Sequence, residues 1–150
     1  MQEIRVRDMV VGDFPAVFEM GKREFDMTQF YHQYWNLSEL SKHLEHDGEL
    51  SIVAELGGRV VGFALGHRRF SMWESDLGHF EWIAVSRKHQ RKGVGSLLCR
   101  EMLKRFHRMR VTRVLTDIRG ENIASTKLFE KFSFRKTFSV DWLLKEGDPS

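Results

Sequence analysis

Apolar and charged positions alternate from Ile4 to Arg7, a period of two that predicts a short strand. Gly12-Asp13-Phe14-Pro15 then reads as a helix start, with Asp13 as the capping side chain and Pro15 in the first turn, where its missing N–H is no loss. Phe14, Val17, Phe18 and Phe25 lie along that helix. Residues 26 to 36 hold Phe30, Tyr31, Tyr34 and Trp35 but follow neither period, so a loop is expected. Leu37 to His46 is a second short helix, with Leu40 and Leu44 inward and Ser38 or Asn36 as its cap. "LSIVAEL" and "RVVGFAL" flank Gly57-Gly58, the turn chemistry of a tight antiparallel hairpin.

Leu77 to Val85 is a further strand. From Val94, the positions Leu97, Leu98, Met102, Phe106 and Met109 recur at helical spacing, so one face of a helix packs on a sheet. Thr112 to Ile118 returns to strand, Gly120-Glu121-Asn122 opens the helix "IASTKLFEKF", and "FRKTFSVDWLLK" closes the chain as strand. No repeat, linker or low-complexity segment interrupts this order, so residues 1–150 are expected to form one α+β domain.

Composition narrows the function. The chain has 24 basic and 21 acidic side chains, a balance too even for a protein that coats nucleic acid. Lys104, Arg105, His107, Arg108 and Arg110 cluster at a helix C-terminus, where the dipole favours cations, and read as a solvated face rather than a nucleic-acid site. The single cysteine, Cys99, cannot form an internal disulfide and reads as a small buried hydrophobe. No Cys/His spacing marks a zinc site, and no metal is expected. Neither a signal-peptide pattern nor a span of ~20 apolar residues is present, so a cytoplasmic protein without a membrane partner is expected.

The chemistry concentrates after Val85. Arg87, Lys88, Arg91 and Lys92 precede Gly93-Val94-Gly95, and a helix begins at once. The first amides of a helix lack intrahelical partners and carry partial positive charge. Glycine on either side of Val94 lets that backbone approach a phosphate, so the turn suits a pyrophosphate. It is not a dinucleotide fingerprint, whose third glycine would fall on Leu98, nor a P-loop, because Gly95 is followed by Ser96-Leu97.

"WIAVSRKHQRKGVGSLLCREML" resembles the acetyl-CoA-binding segment of the GNAT superfamily of N-acetyltransferases, Gln/Arg-x-x-Gly-x-Gly/Ala after a strand ending in "AV". "VLTDIRGENIASTKLFEKFSF" is similar to the family's strand, Asn and helix ending in "LYEKLGF". The resemblance implies a mixed, mostly antiparallel central sheet flanked by about four helices. It implies that the backbone of Ile83, Ala84 and Val85 pairs with pantetheine. The segment Gln90, Arg91, Lys92, Gly93, Val94, Gly95 and Ser96 would wrap the pyrophosphate. Asn122 would bond pantetheine, with Ser125 or Lys127 reaching it or the phosphates; Asn122 also suits a helix N-cap. Phe129 stands with these contacts where the family often has an acidic tyrosine, and Ser133 replaces a usual glycine.

The activity implied is acetyl transfer from acetyl-CoA to a primary amine, whether a small molecule, a protein N-terminus or a lysine. Such an amine is largely protonated at neutral pH, so a base is useful. Glu81 is the first candidate, at a position where the family often carries a basic glutamate, and His79 the second. By the period of two, His79, Glu81, Ile83 and Val85 share one face and Phe80, Trp82 and Ala84 the other. The missing tyrosine leaves room for an alternative, an acyl-CoA-binding module with little catalysis. Phe30, Tyr31, Tyr34 and Trp35 are expected to shape the acceptor pocket or to join the core. Without turn residues between Phe134 and Leu144, the end of the chain is expected to run as one strand or bend at Ser139, with an edge that a second copy could cover in a homodimer.

Overall fold

A computed structural model of the chain describes residues 2–25, 35–69, 77–118 and 122–137, with 141, 143, 145 and 147. Among these residues, five strands, β1 (Arg5–Asp8), β2 (Ser51–Leu56), β3 (Arg59–Arg69), β4 (Leu77–Val85) and β5 (Arg113–Leu115), form one sheet in that spatial order. All neighbours are antiparallel except β4 and β5, which run parallel, so the sheet is mixed as expected. Helices α1 (Phe14–Glu24) and α2 (Leu37–His46) cover one face, and α3 (Val94–Arg108) and α4 (Ile123–Lys131) the other.

The β2–β3 hairpin turns on Gly57 (φ 57°) and Gly58 (φ 78°), both in the left-handed region that two-residue hairpin turns require. On the α3 side, Ile52, Ala54, Ala64 and Phe80 pack against Leu98, Cys99, Met102 and Phe106. On the α1 side, Val53, Phe63 and Leu65 meet Val17, Met20, Leu40 and Trp35. The two cores lie back to back through the sheet. α2 starts as expected, with Asn36 Oδ1 accepting from the Glu39 amide at 2.9 Å, while Leu44 is only half-buried.

Four expectations need correction. Asp13 does not cap α1 with its side chain. Its carboxylate accepts two hydrogen bonds from Arg7, at 2.8 and 2.9 Å, and one from the Val10 amide at 2.9 Å. Next, β5 is confined to Arg113–Leu115 rather than reaching Ile118. Phe134 to Thr137, expected to begin a closing strand, are not strand; residues 138–140, 142 and 144, on which the rest of that expectation and the homodimer edge depend, lie outside the described residues.

The fourth correction matters most. Leu65 lies opposite Trp82 and Gly66 opposite Phe80, so Glu81 is an extra residue on β4, a β-bulge. The bulge resets the alternation. Glu81 reaches His43 on α2 and Trp82 packs in the α1-side core, so two successive side chains share a face; Ile83 and Val85 turn to the α3 side. Glu81 therefore parts from Ile83 and Val85 and joins Trp82 and Ala84.

α4 ends in a Schellman motif: the Ser133 amide bonds the Glu130 carbonyl and the Phe134 amide that of Phe129, at 3.0 and 3.1 Å. Ser133 holds φ 69° there, a conformation suited to glycine.

Candidate active site

β5 accompanies β4 only from Leu77 to His79, and Thr116 Oγ1 then donates to the Phe80 carbonyl at 2.9 Å. Beyond that point, the edge of β4 from Glu81 to Val85 has no strand beside it among the described residues. From Trp82 to Val85 the same stretch is paired to β3 on its other side. The sheet thus opens on the side of Ile83, Ala84 and Val85. Gln90 Nε2 closes the lower end, donating to the Val85 carbonyl at 2.9 Å and to Glu24 at 3.0 Å.

The basic turn follows this edge. Arg91 (φ 63°) and Gly93 (φ 86°) both take left-handed conformations, and the Gly93 carbonyl accepts the first α3 bond, from the Leu97 amide at 3.0 Å. The Val94, Gly95 and Ser96 amides thereby stand ahead of the helical ladder. The two glycines serve different ends. A Cβ on Gly93 would meet nothing within 4 Å, whereas one on Gly95 would come within 3.3 Å of Leu128 on α4. Gly93 leaves the outer surface of the turn clear, and Gly95 lets α4 pack close. Arg91 and Lys92 are exposed, and Lys131 at the end of α4 donates to Ser96 Oγ at 3.2 Å, adding a cation that the sequence pattern did not single out.

Asn122 caps α4, Oδ1 accepting from the Ser125 amide at 3.1 Å; Lys127 is exposed. Phe129 is buried, edge-on to Phe80 and Phe134 with centroids 5.1 Å apart in each pair. Trp35 belongs to the core: its Nε1–H donates to the Phe18 carbonyl at 3.0 Å and its ring stacks on Phe63. Phe30, Tyr31 and Tyr34 lie outside the described residues.

The titratable groups gather around the bulge. Glu81 Oε2 lies 2.9 Å from His43 Nε2 on α2 and 2.9 Å from His67 Nδ1 on β3. His67 Nε2 lies 3.3 Å from His79 Nδ1, and His79 Nε2 2.8 Å from Asp117 just past β5. Both sequence candidates, Glu81 and His79, therefore belong to one array with His67 between them. Burial alone would raise the Glu81 carboxyl, but hydrogen bonds and charge from His43 and His67 outweigh it and hold the group well below the usual carboxylate range. Burial opposes the charged form of His43, yet Glu81 and Glu39 raise its pKa. His79 holds the Asp117 carboxyl down. His43, His67 and Asp117 escaped the sequence reading, since 38 residues separate His43 from Glu81 and His79 from Asp117. The one local signal was the His67–His79 cross-strand pair, visible only once the register is known.

Cys99, fully buried, has its thiol pushed up to about 12 by burial and takes no part in this chemistry. Among the described residues, no helix is long and apolar enough to cross a membrane.

Comparison with known proteins matches this geometry to a family. The chain is 30% identical over 117 residues to an N-alpha-acetyltransferase of Sulfolobus acidocaldarius, covering 71% of this chain and 68% of that protein. The fold superposes on Ard1 from Thermoplasma volcanium with TM-score 0.77 at 21% identity, covering 90% and 84% of the two chains. It superposes equally well, at TM-score 0.77 and 18% identity, on AAC(6')-Iy solved with the bisubstrate analogue CoA-S-monomethyl-acetylneamine, covering 97% and 99%. The model of the acetyltransferase (GNAT) family matches residues 7–134, and the chain belongs to that family.

Proposed function

We propose that this acetyltransferase moves the acetyl group of acetyl-CoA to a primary amine, working as one domain over residues 1–150. The observation that carries the reading is the Glu81–His67–His79–Asp117 array, set by a β-bulge where β4 parts from β5 and beside the edge that leads to the glycine turn. In this reading pantetheine adds to the edge of Ile83, Ala84 and Val85, displacing the Gln90 side chain from the Val85 carbonyl. The Val94, Gly95 and Ser96 amides, with Arg91, Lys92 and Lys131, hold the pyrophosphate. Asn122, Ser125 and Lys127 line the opposite wall, over Phe129.

The amine nitrogen attacks the thioester carbonyl carbon, the C–S bond breaks, and CoA leaves as thiolate. The amine's proton passes to the array. Glu81, held ionised, orients His67 and attracts the positive charge that forms, while the imidazoles accept the proton and Asp117 balances it at the surface. With phenylalanine at 129, water protonates the thiolate, an alkyl thiol of pKa ~8.5 being a tolerable leaving group near neutrality.

Glu81→Gln tests the reading. Steady-state release of CoA thiol should show kcat lowered about ten-fold or more, because the imidazoles lose the carboxylate that positions them and a positioned base contributes ~10²–10⁴, with acetyl-CoA affinity by calorimetry nearly unchanged. An unaltered kcat would remove Glu81 from the mechanism. A protein stabilised in thermal melts by NADH or ATP but not by acetyl-CoA would overturn the assignment of the turn.

A further inference from the structure

We propose that His43 Nε2, His67 Nδ1 and Glu81 Oε2 form a binding site for one divalent transition-metal ion of the zinc type, and that metal bound there blocks acetyl transfer. The three atoms come from α2, β3 and β4 and lie within 4.8 Å of one another. Each imidazole nitrogen is 2.9 Å from the carboxylate oxygen. With metal–ligand bonds of ~2.0–2.2 Å, ligand atoms at right angles to one another lie ~2.8–3.1 Å apart and tetrahedral ones ~3.3–3.6 Å. The observed edges suit an ion that holds the carboxylate perpendicular to both imidazoles and keeps water in its remaining positions.

Orientation supports the same site. A histidine ligand must turn a lone pair to the metal and commit its N–H elsewhere. His43 Nδ1 lies 3.2 Å from the Gly66 carbonyl, which can only accept, so Nδ1 donates there and Nε2 is the ring atom turned to Glu81. The second imidazole is oriented through a relay. His79 Nε2 lies 2.8 Å from Asp117 and His79 Nδ1 3.3 Å from His67 Nε2, and these contacts fix the His67 ring with Nδ1 turned to Glu81. Two ring nitrogens and one carboxylate oxygen thus converge on one point. Imidazole N–H groups can hold them there as hydrogen bonds to Glu81, and one cation in place of those hydrogens would be shared by all three.

The surroundings favour a cation. Glu39 Oε1 lies 3.4 Å from His43 Nε2, and Asp117 stands behind His79, so two further carboxylates border the ligands among the described residues. The side chain of His43 is 5% exposed, but His67 and Glu81 are 21% and 24% exposed, which leaves an entry path. Two imidazoles and one carboxylate select Zn²⁺, Co²⁺ or Ni²⁺ over Mg²⁺. The spacing of positions 43, 67 and 81 matches no sequence signature because three separate elements deliver the ligands.

The blocking clause rests on the proposed role of Glu81; the site itself does not. Metal binding is therefore measured on the chelator-treated protein without acetyl-CoA or amine, by calorimetry with Zn²⁺ and by the visible absorption of Co²⁺. One equivalent of either should bind, and Mg²⁺ should not. His67→Ala and Glu81→Gln should each weaken binding about ten-fold or more, as should Asp117→Asn, whose side chain is 82% exposed. His107→Gln, on the exposed face of α3, should leave it unchanged. Absence of stoichiometric binding, or an affinity insensitive to all three substitutions, overturns the site. A zinc-binding enzyme that Zn²⁺ does not inhibit overturns the blocking clause alone. An active Glu81→Gln variant removes the proposed role of Glu81 in acetyl transfer and leaves the binding result intact.

Discussion

Gly21→Ala sets two physical effects against each other. Alanine is the better helix former, by ~1 kcal/mol in an exposed interior, and Gly21 lies within α1. The site is not exposed. A Cβ at Gly21 would stand 2.2 Å from Trp35 Cε2 and 2.4 Å from Cζ2 and Nε1, where ordinary contacts begin at 3.4 Å. The indole cannot easily yield: it is 3% exposed, stacked on Phe63 at 5.4 Å, edge-on to Phe25 at 5.0 Å and tied by Nε1–H to the Phe18 carbonyl. Overpacking costs ~1–3 kcal/mol, and stretching that hydrogen bond leaves a buried donor unsatisfied for a further ~1–3 kcal/mol. Subtracting the propensity gain leaves a net loss of about 3 kcal/mol, or about 6–12 °C in Tm for a chain of this size. Urea denaturation followed by circular dichroism reads it directly. Gly12→Ala, whose Cβ meets nothing within 4 Å, is the control and should stay within ~0.5 kcal/mol of the parent. A Gly21→Ala variant as stable as the parent would show that Trp35 is not wedged against α1.

Three further outcomes are expected. Arg7 holds the Asp13 carboxyl below the usual range against the opposing effect of burial. A group lowered on folding stabilises fully above its unfolded value of ~3.9 and loses that contribution as pH falls through its folded value. Asp13→Asn should thus be less stable by about 2 kcal/mol at neutral pH and converge on the parent in acid; a gap constant with pH refutes the pairing. Gly93→Val places a branched side chain at φ 86° on the outer face of the turn, so acetyl-CoA should bind more weakly by calorimetry, and normal binding would rule out backbone cradling of the phosphates. Ser133→Gly should raise stability by about 1 kcal/mol, since serine pays for its left-handed φ of 69° at the end of α4; an unchanged denaturation midpoint would mean the chain relaxes elsewhere.

Local signals and distant ones were unequally legible. The hairpin at Gly57-Gly58 and the whole extents of α2 and β4 followed from period and turn chemistry, because each depends on residues adjacent in sequence. The glycine turn was legible for the same reason, although the packing of Gly95 against Leu128 waits on α4. The face of Glu81 was misread because a bulge is a property of two strands, and its sign is register against β3. Asp13 looked like a helix cap since its competitor for the carboxylate, Arg7, precedes it on another element. The histidine array depends on α2, β3, β4 and the segment after β5 converging, which no spacing along one chain encodes.

The brief contact between β4 and β5 has a consequence for local stability. Three residue pairs and the Thr116 hydroxyl join β5 to β4, whereas β3 and β4 share eight pairs. Backbone amides of β5 should therefore exchange with solvent well before those of β2 and β3, through an opening that leaves the antiparallel meander intact. Any molecule that bridges the parted strands raises the free energy of that opening in proportion to its own binding. Occupancy of the cleft would then be readable as slowed deuterium uptake in Arg113–Leu115, a signal available without knowing the amine that accepts the acetyl group.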